Sequence, residues 1–180
     1  MGRIISLRQL VRLRRTLRAQ GKTVVFTNGT FDIIHRGHTE YLTRAKRFGD
    51  VLVVGLNTDA SIRRIKGPGR PINPGRDRAA VLAALVPVDY VCFFREDTPL
   101  RIISQVRPDV LVKGADWSKD AIVGREVVEK GGGTVRRVRL TPGRSTSEMI
   151  ARILELGRRL APPRHRRHRS SSEEADGGAE

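Results

Sequence analysis

Short apolar runs alternate along this chain with stretches in which apolar residues recur every three or four positions. Leu7, Leu10, Val11, Leu13 and Leu17 follow Ser6 at helical spacing, which predicts a capped amphipathic helix ended by Gly21. Thr23-Val24-Val25-Phe26-Thr27 is short, continuous and β-branched, the pattern of a buried strand. A loop over 28–35 and a helix over 37–48 follow. Further strands are predicted at 51–56, 88–94, 110–112 and 134–140. The helices between them are a short one capped by Thr58/Asp59 and running to Ile65, then 76–85, one capped by Thr98, 122–129 and 146–160. Three glycines and three prolines mark 67–75 as a loop. Strand and helix thus alternate through five strands, which predicts an α/β fold with a five-stranded parallel sheet covered on both faces. Ligands of such sheets bind beyond the carboxyl ends of the strands, near the topological switch point. That rule brings the loops at 28–35, 57–59 and 113–117 into one neighbourhood.

Three segments follow from this pattern: a basic helix at 1–22 packed on the domain, the domain proper at 23–160, and a tail at 161–180. The tail mixes Pro, Arg, Ser, Gly and acids and is expected to be disordered. With 180 residues there is room for one domain with a proper core. No apolar run approaches the roughly 20 residues of a membrane span. Arginines interrupt the N-terminal apolar residues, so no signal-peptide core is present, and the single Cys92 has no internal disulfide partner. A cytoplasmic protein without a structural metal is expected.

The net charge of +16 changes this picture less than its size implies, because it is concentrated at the ends. Residues 1–22 hold seven basic residues and no acid, and 157–169 hold six arginines and no acid, which leaves a net +7 for 23–156. A basic balance serves nucleic acid, an acidic membrane surface or anionic small substrates alike. Aromatic content of 4% and the lack of an RRM, KH or zinc-finger motif disfavour a nucleic-acid binder, since stacking platforms are scarce.

The richest chemistry lies in Thr27-Asn28-Gly29-Thr30-Phe31-Asp32-Ile33-Ile34-His35-Arg36-Gly37-His38, which leaves a strand, passes a glycine and enters a helix. Helix N-termini present free N–H groups and attract phosphate. His35 and His38 are three apart, close enough to address one ligand in the first turn, and Gly37 lets a phosphate approach the backbone. Two imidazoles offer donors to phosphoryl oxygens as charge accumulates there. His165-Arg166-Arg167-His168 repeats the spacing in a tail without a sheet to support it, and is read as non-functional. Gly21-Lys22-Thr23 echoes the end of a P-loop, but position 16 is threonine and the segment precedes its strand instead of following it. Gly131-Gly132-Gly133 reads as a turn.

Thr27-Asn28-Gly29-Thr30-Phe31-Asp32 followed by His35-Arg36-Gly37-His38 resembles the signature of the cytidylyltransferase-like superfamily. Within it the chain is similar in particular to the adenylyltransferase domain of D-glycero-β-D-manno-heptose 1-phosphate enzymes. Asn57-Thr58-Asp59-Ala60-Ser61, Lys66-Gly67, Arg70-Pro71-Ile72-Asn73-Pro74, Leu111-Val112-Lys113-Gly114-Ala115-Asp116 and Gly143-Arg144-Ser145-Thr146-Ser147 support that similarity. The resemblance implies a Rossmann-like (HUP-type) three-layer sandwich and Mg²⁺-dependent transfer from a nucleoside triphosphate to a phosphorylated sugar, with release of pyrophosphate. ATP would be the substrate.

It also implies that His35, His38 and Lys66 are catalytic. Thr27, Asn28, Gly29, Thr30, Phe31, Gly37, Asp116, Ser145 and Thr146 would bind the nucleotide. Asn57, Asp59, Arg78 and Lys113 would bind the acceptor, with Arg78 as a phosphate clamp. Ser145-Thr146 reads equally as a helix cap. Asp32 is a candidate Mg²⁺ neighbour, but Mg²⁺ uses few protein ligands, and no metal ligand is assigned. A separate sugar kinase would supply the acceptor, because the kinase domain of the familiar bifunctional enzymes has no counterpart in these residues. Related cytidylyltransferases carry an arginine where this chain has Leu140-Thr141-Pro142, which leaves Arg139 or Arg144 as substitutes. The sister activity, a cytidylyltransferase acting on glycerol phosphate or a related polyol phosphate, would keep fold and mechanism. The family suggests a homodimer to which Leu7, Leu10 and Leu17 could contribute, although covering the sheet is their simpler role.

Overall fold

In the computed structural model, residues 1–160 are described, and the segment expected to be disordered, 161–180, lies outside the described residues. The chain runs β1 (Arg3–Ile4), α1 (Leu7–Ala19), β2 (Val24–Gly29), α2 (Arg36–Lys46), β3 (Val51–Asn57), α3 (Asp59–Lys66), α4 (Gly75–Ala84), β4 (Tyr90–Phe94), α5 (Leu100–Val106), β5 (Val110–Gly114), α6 (Arg125–Lys130), β6 (Thr134–Val138) and α7 (Thr146–Leu160). All strand pairs are parallel, in the order β1-β4-β3-β2-β5-β6.

Six strands, not five, make the sheet. The extra strand is β1, whose two exposed residues carry no apolar alternation that could be read from sequence. Hydrogen bonds to its neighbour create it: Arg3 N–H reaches the Asp89 carbonyl and Ile5 N–H the Val91 carbonyl, both at 2.9 Å. Three boundaries also move. Pro99, not Thr98, occupies the cap position of α5, as expected when proline disfavours helical backbone in the residue before it. α6 starts at Arg125 after Gly124 in a left-handed conformation, and Ile122 packs from the loop. β6 ends at Val138.

Alternation along the central strands sorts side chains into two layers. Val25, Leu52, Val54 and Leu56 join Leu42 and Ala45 of α2 and Ala79 and Leu82 of α4 on one face. Val24, Phe26, Val53 and Cys92 join Leu10 of α1 and Ile102 and Ile103 of α5 on the other. Full burial of each such leucine or isoleucine stabilises by about 1.5–3 kcal/mol, so both faces hold their helices and the fold is a three-layer Rossmann-like sandwich. α1 is fastened at its N-terminus and at its middle. Ser6 and Gln9 close a capping box. Arg14 pairs with Asp109 at 2.7 Å, and Asp109 also accepts the Val24 N–H at the start of β2. α7 differs: none of its residues is buried, and Ile153, Leu154, Leu156 and Leu160 are exposed.

Succession from β2 through β3 to β4 steps one way across the sheet, whereas β5 and β6 lie on the other side of β2. The switch point therefore falls between β2 and β5, and the loops leaving their carboxyl ends part there.

Candidate active site

A cleft of about 530 Å³ opens at that switch point. β2 and its loop contribute Asn28, Gly29, Thr30 and Phe31; the start of α2 contributes His35, Gly37 and His38. Asn57 and Lys66 come from β3 and the end of α3, Lys113 and Asp116 from β5 and its loop, and Ser145 and Thr146 from the start of α7. Thirteen of the residues expected at a site thus share one wall-to-wall cavity, though they span 119 positions of sequence from Asn28 to Thr146.

The loop after β2 is held in an uncommon shape. Phe31 has φ of +41°, a conformation that costs a non-glycine residue about 1–3 kcal/mol. Its ring packs against His38 with centroids 5.2 Å apart. Gly29 makes room for that ring, since a Cβ there would stand 3.0 Å from Phe31 Cε2. The fully buried carboxylate of Asp32 pins the opposite loop: it accepts Arg70 Nε at 2.7 Å, Ile72 N–H at 2.9 Å and Asn73 N–H at 2.8 Å. Burial pushes its pKa upward, but the Asn73 and Ile72 N–H groups and Arg70 outweigh it and leave the pKa below the usual carboxylate value. This carboxylate is already committed to donors, so it is a loop anchor.

His35 stands at the cap of α2 in extended backbone, with no side-chain cap bond, and its carbonyl accepts the His38 N–H at 2.8 Å. Arg36 and Gly37 are the first two helical residues, whose N–H groups have no partner within a helix. The two imidazoles stack, centroids 3.9 Å apart and planes inclined by 26°. A Cβ on Gly37 would crowd them, standing 3.0 Å from the His35 ring and 3.3 Å from Arg144 Cβ. Both Nδ1 atoms are buried without a partner among the described residues. Burial, then the neighbouring His35 and Lys66, depress the His38 pKa to about 4, against the pull of the Ile33 carbonyl. His35 is lowered by burial and by Arg144, with Glu148 opposing. At neutral pH His38 is an uncharged imidazole with an N–H to donate.

Cations surround this pair. Lys66 ends α3, and burial and Arg70 lower its pKa in spite of Asp32. Lys113 donates to Asn28 Oδ1 at 2.5 Å, tying β5 to β2 across the switch point. Burial lowers its pKa to about 8, with Asp116 opposing. Ser145 caps α7: its Oγ accepts the Glu148 N–H at 3.1 Å, and Glu148 accepts the Ser145 N–H at 2.9 Å. Thr146 Oγ1 reaches the Ile33 carbonyl at 3.4 Å and joins α7 to the histidine loop.

Three expected site residues are placed elsewhere. Thr27 is fully buried, its Oγ1 shared at 2.8 Å with the Tyr41 hydroxyl, which donates to the Val112 carbonyl. Arg78, expected as a phosphate clamp, is instead a buried brace: it donates to the carbonyls of Asn73, Thr30 and Asn57 and to Asp59 Oδ1 at 2.6 Å. Asp59 holds that guanidinium and the Gly75 N–H, so it too supports the loops instead of facing the cleft. Sequence reasoning passed over Tyr41 as a link between strands; it had Arg144 only as a substitute for the arginine of related cytidylyltransferases and Trp117 only as the end of the 113–117 loop, and both line the cleft. For Arg144 the signal was its position directly before the Ser-Thr pair.

No group of three or more His, Cys, Asp or Glu side chains able to hold a metal occurs among the described residues. Likewise, none of their helices is long and apolar enough to cross a membrane.

Comparison with known proteins agrees with this geometry. Residues 26–172 match the pattern of the family described as Cytidylyltransferase-like. The chain is similar to the Bifunctional protein HldE of Syntrophotalea carbinolica, 53% identical over 152 residues, covering 81% of this chain and 31% of that protein. Its namesake in Geobacter sulfurreducens is 57% identical over 138 residues, 77% of this chain and 28% of that one. The chain thus spans about a third of the length of these relatives. Among solved structures, the lipopolysaccharide core biosynthesis protein from Thermoplasma volcanium is 34% identical with a TM-score of 0.56, covering 67% of this chain and 98% of that one. The pantoate-beta-alanine ligase from Francisella tularensis shares the fold at 15% identity and a TM-score of 0.56, over 82% of this chain and 69% of that one. With the family pattern over most of its length and the paired histidines at the switch point, this chain belongs to the cytidylyltransferase-like family of nucleotidyltransferases.

Proposed function

We propose that the chain transfers AMP from ATP to D-glycero-β-D-manno-heptose 1-phosphate, giving ADP-heptose and pyrophosphate. The stacked His35–His38 pair at the start of α2, facing a cleft at the switch point, carries this reading. An oxygen of the sugar phosphate attacks the α-phosphorus, and the bond to the β-phosphate breaks with its electron pair leaving on pyrophosphate. No enzyme nucleophile is needed; alignment and charge stabilisation do the work. Neutral His38 donates a hydrogen bond to an α-phosphoryl oxygen, and His35 and the free α2 N–H groups share that task. Lys66 meets charge on the triphosphate. Mg²⁺ would neutralise part of the same charge, mainly through phosphate oxygens. Asp116 lines the cleft without an ion pair among the described residues and suits an outer contact to such an ion.

The names of similar proteins, a bifunctional HldE and a lipopolysaccharide core biosynthesis protein, favour a heptose phosphate acceptor. A reaction of ATP with a sugar phosphate would run in the cytoplasm, with a kinase reaction supplying the 1-phosphate. Initial rates of pyrophosphate release with ATP and CTP, each against heptose 1-phosphate and glycerol 3-phosphate, test the assignment. ATP with the heptose should be the fastest pair. A clear preference for CTP with the polyol phosphate would reassign the chain to the sister activity.

Lys113 is proposed to hold the acceptor through its charge, in front of Asn28. Because its pKa is about 8, the cation persists at pH 7 and disappears as pH rises through that value. The acceptor KM should therefore climb above about pH 8 while the KM for ATP stays level. Lys113→Met should raise the acceptor KM at pH 7 and abolish the alkaline rise. A wild-type KM that is flat to pH 9.5 would remove Lys113 from the acceptor site.

A further inference from the structure

Arg144 is the cleft residue whose chemistry is least accounted for. It follows Gly143, which turns the chain with φ of +63°, and precedes the cap of α7. The Ser145–Glu148 capping box fixes it from behind, and Thr146 ties the same turn to the histidine loop. Its Cβ lies over Gly37, 3.3 Å from where a Cβ on that glycine would stand. After burial, its charge is the main influence that lowers the pKa of the His35 ring. The other arginines near the loop face carboxylates, Arg70 on Asp32 at 2.7 Å and Arg78 on Asp59 at 2.6 Å. Arg144 lines the cleft with neither an ion pair nor a side-chain hydrogen bond among the described residues. An unpaired arginine on the cleft wall, with its Cβ over the first turn of α2 where N–H groups are free, is arranged for an anion with several oxygens.

Building on the nucleotidyl-transfer reading above, we infer that Arg144 is a further catalytic residue, the cation that receives the departing pyrophosphate. Lys113 belongs to the wall formed by β2 and β5, where Asn28 holds it, whereas Arg144 belongs to the α7 wall beside His35. The two cations thus serve opposite sides of the α-phosphorus. When the acceptor oxygen bonds to that phosphorus and the α–β bridge breaks, the electron pair and negative charge move onto the former α–β bridging oxygen, which leaves as a terminal oxygen of pyrophosphate. Arg144 stabilises that charge by bidentate N–H donation and gives up no proton, since guanidinium stays charged throughout.

Arg144→Met and Arg144→Lys in the full chain test this with three readouts. The first is calorimetric binding of inorganic pyrophosphate to enzyme without nucleotide. The second is forward kcat and acceptor KM. The third is the NMR titration of the His35 imidazole, assigned with His35→Asn. Arg144→Met should weaken pyrophosphate binding tenfold or more, lower kcat by a similar factor, leave the acceptor KM within twofold and raise the His35 pKa. Arg144→Lys should recover the His35 titration but only part of the pyrophosphate affinity, because an ammonium lacks the planar fork. Unchanged pyrophosphate affinity in a folded Arg144→Met would overturn the inference, as would a change confined to the acceptor KM. Pyrophosphate binding and the His35 titration are read without turnover, so they judge Arg144 even if the heptose or ATP assignment fails.

Discussion

His38→Ala should lower kcat by about 10²–10³-fold, the usual cost of losing one preorganised donor to a developing oxyanion, while the protein stays folded. The reason lies in the environment of the ring. Burial and its cationic neighbours hold the His38 pKa at about 4, so at neutral pH the ring is an uncharged donor with no proton equilibrium to satisfy. It is positioned by stacking on His35 and by the Phe31 ring, not by a hydrogen bond at Nδ1. α2 keeps its core contacts through Tyr41, Leu42 and Ala45, and alanine is a good helix former. A purely structural histidine would behave in the opposite way, with a lower melting temperature and near-normal kcat per folded molecule. Both are measured on one preparation.

The same pKa has a signature in stability. Between about pH 4 and the unfolded value of 6.5, the unfolded chain binds the proton that the folded ring refuses. Stability must then fall as pH drops through that window. His38→Ala should flatten this part of the stability profile, whereas a surface substitution should leave its slope unchanged.

Asp32→Asn should destabilise the protein by about 3–5 kcal/mol, the range found when one partner of a buried ion pair is removed. Asn keeps the volume but leaves Arg70 without its counter-charge and turns an NH₂ toward the N–H groups of Ile72 and Asn73. The bonded donors depress the Asp32 pKa despite burial. Its contribution is therefore complete above the unfolded carboxylate value and is lost as pH falls through the lower folded one. Urea unfolding at pH 7 and at pH 3 should show a large gap between wild type and variant at the higher pH and a smaller one at the lower. The loop released by this change follows Lys66 directly, so kcat should fall as well. Equal stability of the two proteins at pH 7 would show that Asp32 does not anchor the loop.

Features carried by neighbouring residues were legible in the sequence. Continuous apolar runs at Val24–Phe26 and Leu52–Leu56 identify central strands because both faces of a parallel strand are buried. The histidine motif is legible because strand, glycine and helix start are adjacent in sequence. Features created by distant partners were not. Asp32 binds residues 38 to 41 positions away, and Arg78 reaches Thr30 across 48. From sequence both are charged residues near a site, and charge alone does not separate a substrate ligand from a loop brace. Strand β1 escaped for the same reason, since its identity comes from β4 and not from its own two residues. Thr27 has the composition of a site residue, but strand alternation turns its hydroxyl to Tyr41.

Direct nucleotidyl transfer in the cleft between His35, His38 and Lys66 is tested most directly by ³¹P NMR of the full chain with ATP, Mg²⁺ and heptose 1-phosphate. Transfer predicts loss of the three ATP resonances and of the sugar monophosphate together. Inorganic pyrophosphate and a two-phosphorus nucleotide sugar should appear in equal amounts, and about 10²–10³-fold more slowly when His38 is alanine. Formation of ADP and inorganic phosphate, or an unchanged spectrum with folded enzyme at every acceptor concentration, would contradict it.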